Sequence, residues 1–161
     1  MTDQEAGVLA ALERLEIPCE RHEHEAVFTV EQALAAWAGI DATHCKNLFL
    51  RNKKGDRHYL VVAEHRRPID IAALASLTGE SRLSFASPER LAAHLGLTAG
   101  AVSPFGLIND REHVVRVLLD RDLRKASRLG FHPNVNTATV VVSASDFDRF
   151  LASCGNAVTD F

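Results

Sequence analysis

Two apolar runs, Lys46-Asn-Leu-Phe-Leu-Arg51 and His58-Tyr-Leu-Val-Val-Ala63, flank the polar segment Asn52-Lys-Lys-Gly-Asp56. Strand-like runs joined by a short glycine-containing polar turn predict a β-hairpin whose loop lies in water. Neither run has a consistently polar side, so both strands are expected to be buried. Whatever else the chain folds into must cover them.

The covering elements can be read from helix signals on either side. Residues 3–16 space Val8, Leu9, Leu12 and Leu15 as an amphipathic helix. Thr29 and Gln32 form a capping box that opens a helix through about Ala38. Asp70 to Leu77 has a helical pattern that Gly79 can close, and Ser87-Pro88-Glu89 opens another helix to about His94. Ser143 or Ser145 caps a last helix carrying Phe147, Phe150 and Leu151. Cys19 to His24 reads as a short strand, and Val114 to Leu119 and Thr137 to Val142 are β-branched strand runs. Strands occur both in hairpin pairs and between helices, which predicts an α/β fold: a single compact domain over 1–161, with a mixed, largely antiparallel sheet and surrounding helices. A length of 161 residues with 47% hydrophobic content suffices for one such core.

Composition closes off several functions. No run reaches the roughly 18–20 apolar residues of a membrane span, and Met1-Thr-Asp-Gln-Glu5 is acidic where a signal peptide is basic. The expectation is a cytoplasmic protein with no membrane partner. Cys19, Cys45 and Cys154 are odd in number and lack CxxC spacing, so neither a disulfide framework nor a zinc ribbon is indicated. A net charge of -3 argues against a protein that coats nucleic acid, and no DNA partner is expected. Neither a GxSxG elbow nor a GxxxxGK[ST] loop occurs, so any catalysis has to work without those devices.

Three segments carry candidate chemistry. Lys46 opens an apolar strand on the side of Leu48 and Leu50, which puts its ammonium at the lip of a core, where it can meet a phosphate or an oxyanion; the competing reading is a strand-end lysine extending to water. Leu97 to Gly106 is rich in small residues and offers backbone that a ligand can approach closely, against the reading of an ordinary turn. Gly130-Phe-His-Pro-Asn134 holds His132 between a flexible and a rigid residue beside a buried strand, against the reading of a structural or surface histidine. Weaker signals are His22 and His24 on one strand face as a metal pair, and the cations of Arg121 to Arg128, Arg66-Arg67 and Lys53-Lys54 as a nucleic-acid patch, each opposed by a solvated surface.

Together, Lys46-Asn47, Gly100-Ala-Val-Ser-Pro104 followed by Phe105-Gly-Leu-Ile-Asn-Asp110, and Phe131-His-Pro-Asn-Val-Asn-Thr137 resemble, in order and spacing, the YbaK/prolyl-tRNA synthetase editing-domain superfamily. The last two segments are similar to its free-standing branch that clears alanine from tRNAPro. The resemblance implies a compact α/β domain with a curved mixed sheet, and an aminoacyl-tRNA deacylase acting on Ala-tRNAPro. It implies that Lys46 is the essential lysine, that Gly100, Ala101, Val102, Ser103 and Pro104 hold the aminoacyl end through their backbone, and that His132 lines the pocket. Asn47 matches a neighbouring position, and Arg82 falls in a region that the family uses near the tRNA acceptor end.

An aminoacyl ester is already activated, so its hydrolysis requires a positioned water and oxyanion stabilisation more than a protein nucleophile. No cofactor or metal is expected. The expected partners are the acceptor end of a mischarged tRNA and prolyl-tRNA synthetase. The alternatives are a deacylase for Cys-tRNAPro or another small aminoacyl-tRNA, and a non-catalytic tRNA-binding module.

Overall fold

The computed structural model describes residues 1–161. Helix α1 (Asp3–Arg14) starts at Thr2, whose side chain accepts from the Glu5 amide. Strand β1 (Glu20–Glu23) leads to α2 (Val30–Trp37), where the predicted capping box is present with both of its bonds. The predicted hairpin follows as β2 (Thr43–Asn52) and β3 (His58–Glu64), antiparallel from Cys45↔Glu64 to Arg51↔His58. Helix α3 (Ile71–Thr78) is capped by Asp70 and ends at Gly79, whose φ of 75° is the left-handed conformation that glycine adopts without strain. Strand β4 (Leu83–Phe85) precedes α4 (Pro88–Leu95), capped by Ser87. Two short 3₁₀ helices, Ala99–Ala101 and Pro104–Asn109, occupy the stretch expected to be a loop. Then come β5 (Arg116–Leu119), β6 (Arg128–Phe131), β7 (Ala138–Ser143), α5 (Ala144–Cys154) and β8 (Val158–Asp160).

The strand order is β1-β7-β6-β2-β3-β5-β8, with β4 also paired to β2. Four pairings are antiparallel and three are parallel, so the sheet is mixed as expected. Strands β4, β6 and β8 had no clear sequence signal. They have three, four and three residues, too short for alternation to show.

The hairpin lacks a polar face because both of its sides are covered. Phe49, Leu60 and Val62 enter a 25-residue core with Val8 and Leu12 of α1, Leu91 and Leu95 of α4, and Phe147 and Phe150 of α5. Leu50, Tyr59 and Val61 face the other way, into a smaller cluster with Leu74 and Ala75 of α3 and Leu83 of β4. In the larger core the rings of Phe105 and Phe150 meet edge to face at 5.1 Å, and those of Phe131 and Phe147 lie 4.7 Å apart.

Candidate functional site

The site forms where β2 loses a neighbour. One edge of this strand pairs with β6 only at Thr43 and His44, and with β4 only from Leu50 to Asn52. Between those contacts the Phe49 carbonyl still accepts from the Ala86 amide, but from Cys45 to Leu48 no strand pairs with this edge, and a cleft of about 320 Å³ lies along it. Lys46 is therefore not the first residue of its strand, as the sequence suggested, but the fourth, placed at the gap. With Cys45 and Asn47 it forms one wall.

The second wall is α2 and the residues leading into it, contributing Val27, Phe28, Val30, Ala33 and Trp37. The Gln32 side-chain oxygen accepts from the amides of Phe28 at 2.8 Å and Thr29 at 3.1 Å. The Val27 amide donates to the Asn136 carbonyl, and the Asn136 side chain donates back to the Val27 carbonyl, both at 3.1 Å. Trp37 stacks flat on His44, with ring centroids 4.4 Å apart and 4° between planes. No sequence signal marked this wall as functional.

Ala99, Gly100 and Val102 close the third side, and His132 lies at the base. Within the first 3₁₀ helix the Ala101 amide bonds to Thr98, while the Gly100 amide has no backbone acceptor. The predicted loop is thus split in two. Ala101, Ser103 and Pro104 turn into the interior, and the Ser103 hydroxyl is used to cap the second 3₁₀ helix by accepting from Phe105. A Cβ on Gly100 would meet only the Asn136 side chain, at 3.6 Å, so the cleft rather than the scaffold has use for the missing side chain.

His132 Nδ1 lies 3.0 Å from the Ala138 carbonyl and donates to it, which leaves Nε2 as an acceptor in the neutral ring. Burial pulls its pKa below the ordinary histidine value of 6.5; the Ala138 bond opposes this and the nearby His24 adds to it. Behind His132 a small inner chamber of about 10 Å³ is bounded by Trp37, Cys45, Asn47, Gly130, Phe131 and Thr139. Asn47 Oδ1 is buried there without a hydrogen-bond partner. Buried polar atoms are nearly always partnered, so this acceptor is poised for something the protein does not supply. The Cys45 thiol is pushed far up by burial, with Glu64 and Asp120 adding to the effect, and is no nucleophile.

Lys46 has no carboxylate partner. The expected cationic patches are largely paired internally. Arg124 binds Asp148 and Asp160, Arg128 binds Glu20, Arg66 binds Glu64, Arg67 binds Asp120, and Lys54 approaches Asp56. Arg82 is exposed just before β4, beyond the Asn52↔Leu83 end of that pairing, and does not reach the cleft. The metal pair also comes apart: His22 Nε2 lies 3.8 Å from Glu20, while His24 bonds to Thr139 Oγ1 at 2.9 Å. No three potential metal ligands cluster anywhere. A larger cavity of about 430 Å³, between α1 and α5, is lined by Leu107, Ile108 and Asp110 of the Phe105–Asp110 segment but by none of the residues expected to bind or act on substrate.

Residues 24–150 match the family described as the aminoacyl-tRNA editing domain. The chain is similar to the prolyl-tRNA editing protein ProX of Acetoanaerobium sticklandii, with 42% identity over 96% of this chain and 94% of that one. It is 35% identical to prolyl-tRNA synthetase associated domain-containing protein 1 of Danio rerio, over 87% of this chain and 77% of that one. A solved structure described as a candidate trans-editing enzyme for prolyl tRNA synthetase superposes with a TM-score of 0.74 at 23% identity, covering 99% of this chain and 97% of that one. That likeness carries the fold.

Proposed function

This chain belongs to the aminoacyl-tRNA editing domain family, and from that premise we propose that its cleft hydrolyses Ala-tRNAPro to free alanine and tRNAPro. The observation that carries the reading is the convergence of Lys46, Asn47, Gly100, Val102 and His132, from three distant segments, on one cleft with a small closed chamber behind it.

In this reading the alanine methyl enters the chamber, and the ester carbonyl stops between Lys46 and the backbone at Gly100, whose amide is free to donate. Water attacks the carbonyl carbon, and negative charge develops on the carbonyl oxygen. Donors already aimed at that oxygen stabilise the transition state without reorganising. The tetrahedral intermediate collapses with cleavage of the ester C–O bond, and the ribose oxygen leaves with a proton. The other terminal ribose hydroxyl helps to orient the water, and neutral His132 accepts a hydrogen bond through Nε2. The unpartnered Asn47 oxygen accepts from the substrate's ammonium group.

Chamber size supports alanine as the substrate. A space of about 10 Å³ is no more than a single water needs, which favours the smallest side chains and excludes the proline ring. A synthetase pocket built for proline excludes alanine weakly, because missing methylenes are worth only about 1–3 kcal/mol. A second, smaller pocket supplies the missing discrimination. The acceptor end of mischarged tRNA is the partner this requires, and association with prolyl-tRNA synthetase in the cytoplasm is the companion expectation.

The test is single-turnover deacylation of Ala-, Cys- and Pro-tRNAPro by the wild type and by Lys46→Ala. Rapid loss of alanine alone, abolished by the substitution, supports the reading. Faster loss of cysteine would move the substrate assignment, and survival of all three esters would remove the enzyme.

A further inference from the structure

Eight large hydrophobic side chains are exposed on this protein, and three of them, Phe28 at 75%, Val30 at 76% and Leu34 at 50%, lie at the start of α2. Of all eight, only Phe28 and Val30 line the cleft. An aromatic ring left in water at the mouth of a cleft gains nothing for folding. Its backbone, however, is held in place: Gln32 accepts from Phe28 and Thr29, and the reciprocal Val27–Asn136 bonds tie the segment to the turn that carries His132.

We propose that Phe28, flanked by Val30, is the platform on which the terminal base of the tRNA stacks while its aminoacyl group is in the cleft. The inference rests on the deacylase reading and adds to it a recognition element for the nucleoside. The direction follows from the substrate's chemistry. The amino acid is esterified to the ribose of the last nucleotide, so the base lies one sugar away from the reacting carbonyl. The inner chamber, lined by Gly130 and Phe131, measures only about 10 Å³, far too small for a sugar, so sugar and base have to lie toward the mouth. One side of that mouth, Ala99 and Gly100, has no ring to offer; the other presents Phe28. The first turn of α2 carries Glu31 and no cation, so this wall suits the face of a base rather than a phosphate.

The experiment compares wild type, Phe28→Ala and Phe28→Trp in two assays. The first is single-turnover deacylation of Ala-tRNAPro over a range of enzyme concentrations. The second is fluorescence of uncharged tRNAPro carrying 2-aminopurine as its terminal base, which stacking quenches. Phe28→Ala should raise the half-saturating enzyme concentration about 10- to 100-fold, the range expected from losing one base–aromatic stack. The maximal rate should change little, the quench should disappear, and Phe28→Trp should restore both. Thermal melting should be unchanged, because the side chain is 75% exposed.

Wild-type behaviour of Phe28→Ala in both assays overturns the platform and leaves the deacylase intact. Wild-type quenching that Phe28→Ala abolishes, without any hydrolysis, keeps the platform and removes the deacylase. Absence of both quenching and hydrolysis in the wild type overturns both.

Discussion

Asn47 and Asn52 lie on the same strand, and their carboxamides are treated in opposite ways. Asn52 is buried at the hairpin turn. Its Oδ1 accepts from the amides of Gly55, Asp56 and Arg57, and its Nδ2 donates to Asp56 at 2.7 Å. Asn47 Oδ1 is equally hidden from solvent and accepts nothing. The first asparagine replaces backbone partners that a tight turn cannot supply. The second sits where the strand edge is open and its partner must come from outside. On this strand a saturated asparagine serves the turn, and the unsaturated one lines the cleft.

The contrast breaks most decisively at Lys46. Lys46→Ala should lower single-turnover deacylation of Ala-tRNAPro by about 10²–10³-fold, the usual effect of removing one oxyanion donor, with an unchanged melting temperature. A large fall in stability would instead assign Lys46 to the fold. The asparagine pair gives the next effect, in two directions. Asn52→Ala removes four hydrogen bonds that hold the turn and should cost about 2 kcal/mol, roughly 4–8 °C in melting temperature, with deacylation per folded molecule unaffected. Asn47→Ala should reverse that pattern, sparing stability while slowing the reaction about tenfold. Equal thermal losses in the two variants would refute the distinction.

Gly100→Ala sharpens the comparison at the opposite wall. The new methyl meets no backbone and only ordinary contact at 3.6 Å from Asn136, so the protein should fold while the rate drops by about one order of magnitude as the carbonyl is displaced. A wild-type rate would mean that substrate does not approach this amide.

Acid separates two histidines by what each supports. His132 is held neutral by burial, so deacylation relative to the uncatalysed rate should hold as pH falls to 6.5 and decline only below it, when the ring takes up a proton and Nε2 no longer accepts. Decline that begins well above 6.5 would contradict that assignment. His58, packed against His94 with ring centroids 4.0 Å apart, has its pKa lowered to about 4 by burial, with His94 and Arg90 pushing the same way. Below its unfolded value of 6.5 the unfolded chain binds the proton and the folded one resists it. Stability is therefore full above 6.5 and should be lost progressively toward pH 4, as a falling urea midpoint. A His58→Phe variant should flatten part of that slope.

Elements with local causes were legible in the sequence. The capping box at Thr29, the Asp70 and Ser87 caps, the Gly79 stop and the hairpin between Arg51 and His58 all depend on residues close along the chain, and all are present. The three motifs carrying Lys46, Gly100 and His132 were ambiguous one by one and stood out only through their joint resemblance to the editing-domain family. Which members of those motifs face the cleft could not be read from the sequence. Ala101, Ser103 and Pro104 are in the same motif as Gly100 and Val102, yet they turn inward, because the chain forms two 3₁₀ helices there instead of one exposed loop.

The sequence by itself determined the α/β class, most of the helices and the central hairpin. Only the tertiary structure decided that β2 loses its neighbour between His44 and Leu50, that α2 brings Phe28 and Trp37 to the resulting gap, and that the cations of Arg121 to Arg128 are largely paired with acids. The physical reason is one of range. Caps and tight turns are set by hydrogen bonds a few residues long, whereas an open strand edge is defined by which distant strands fail to reach it, a property that no local stretch of sequence contains.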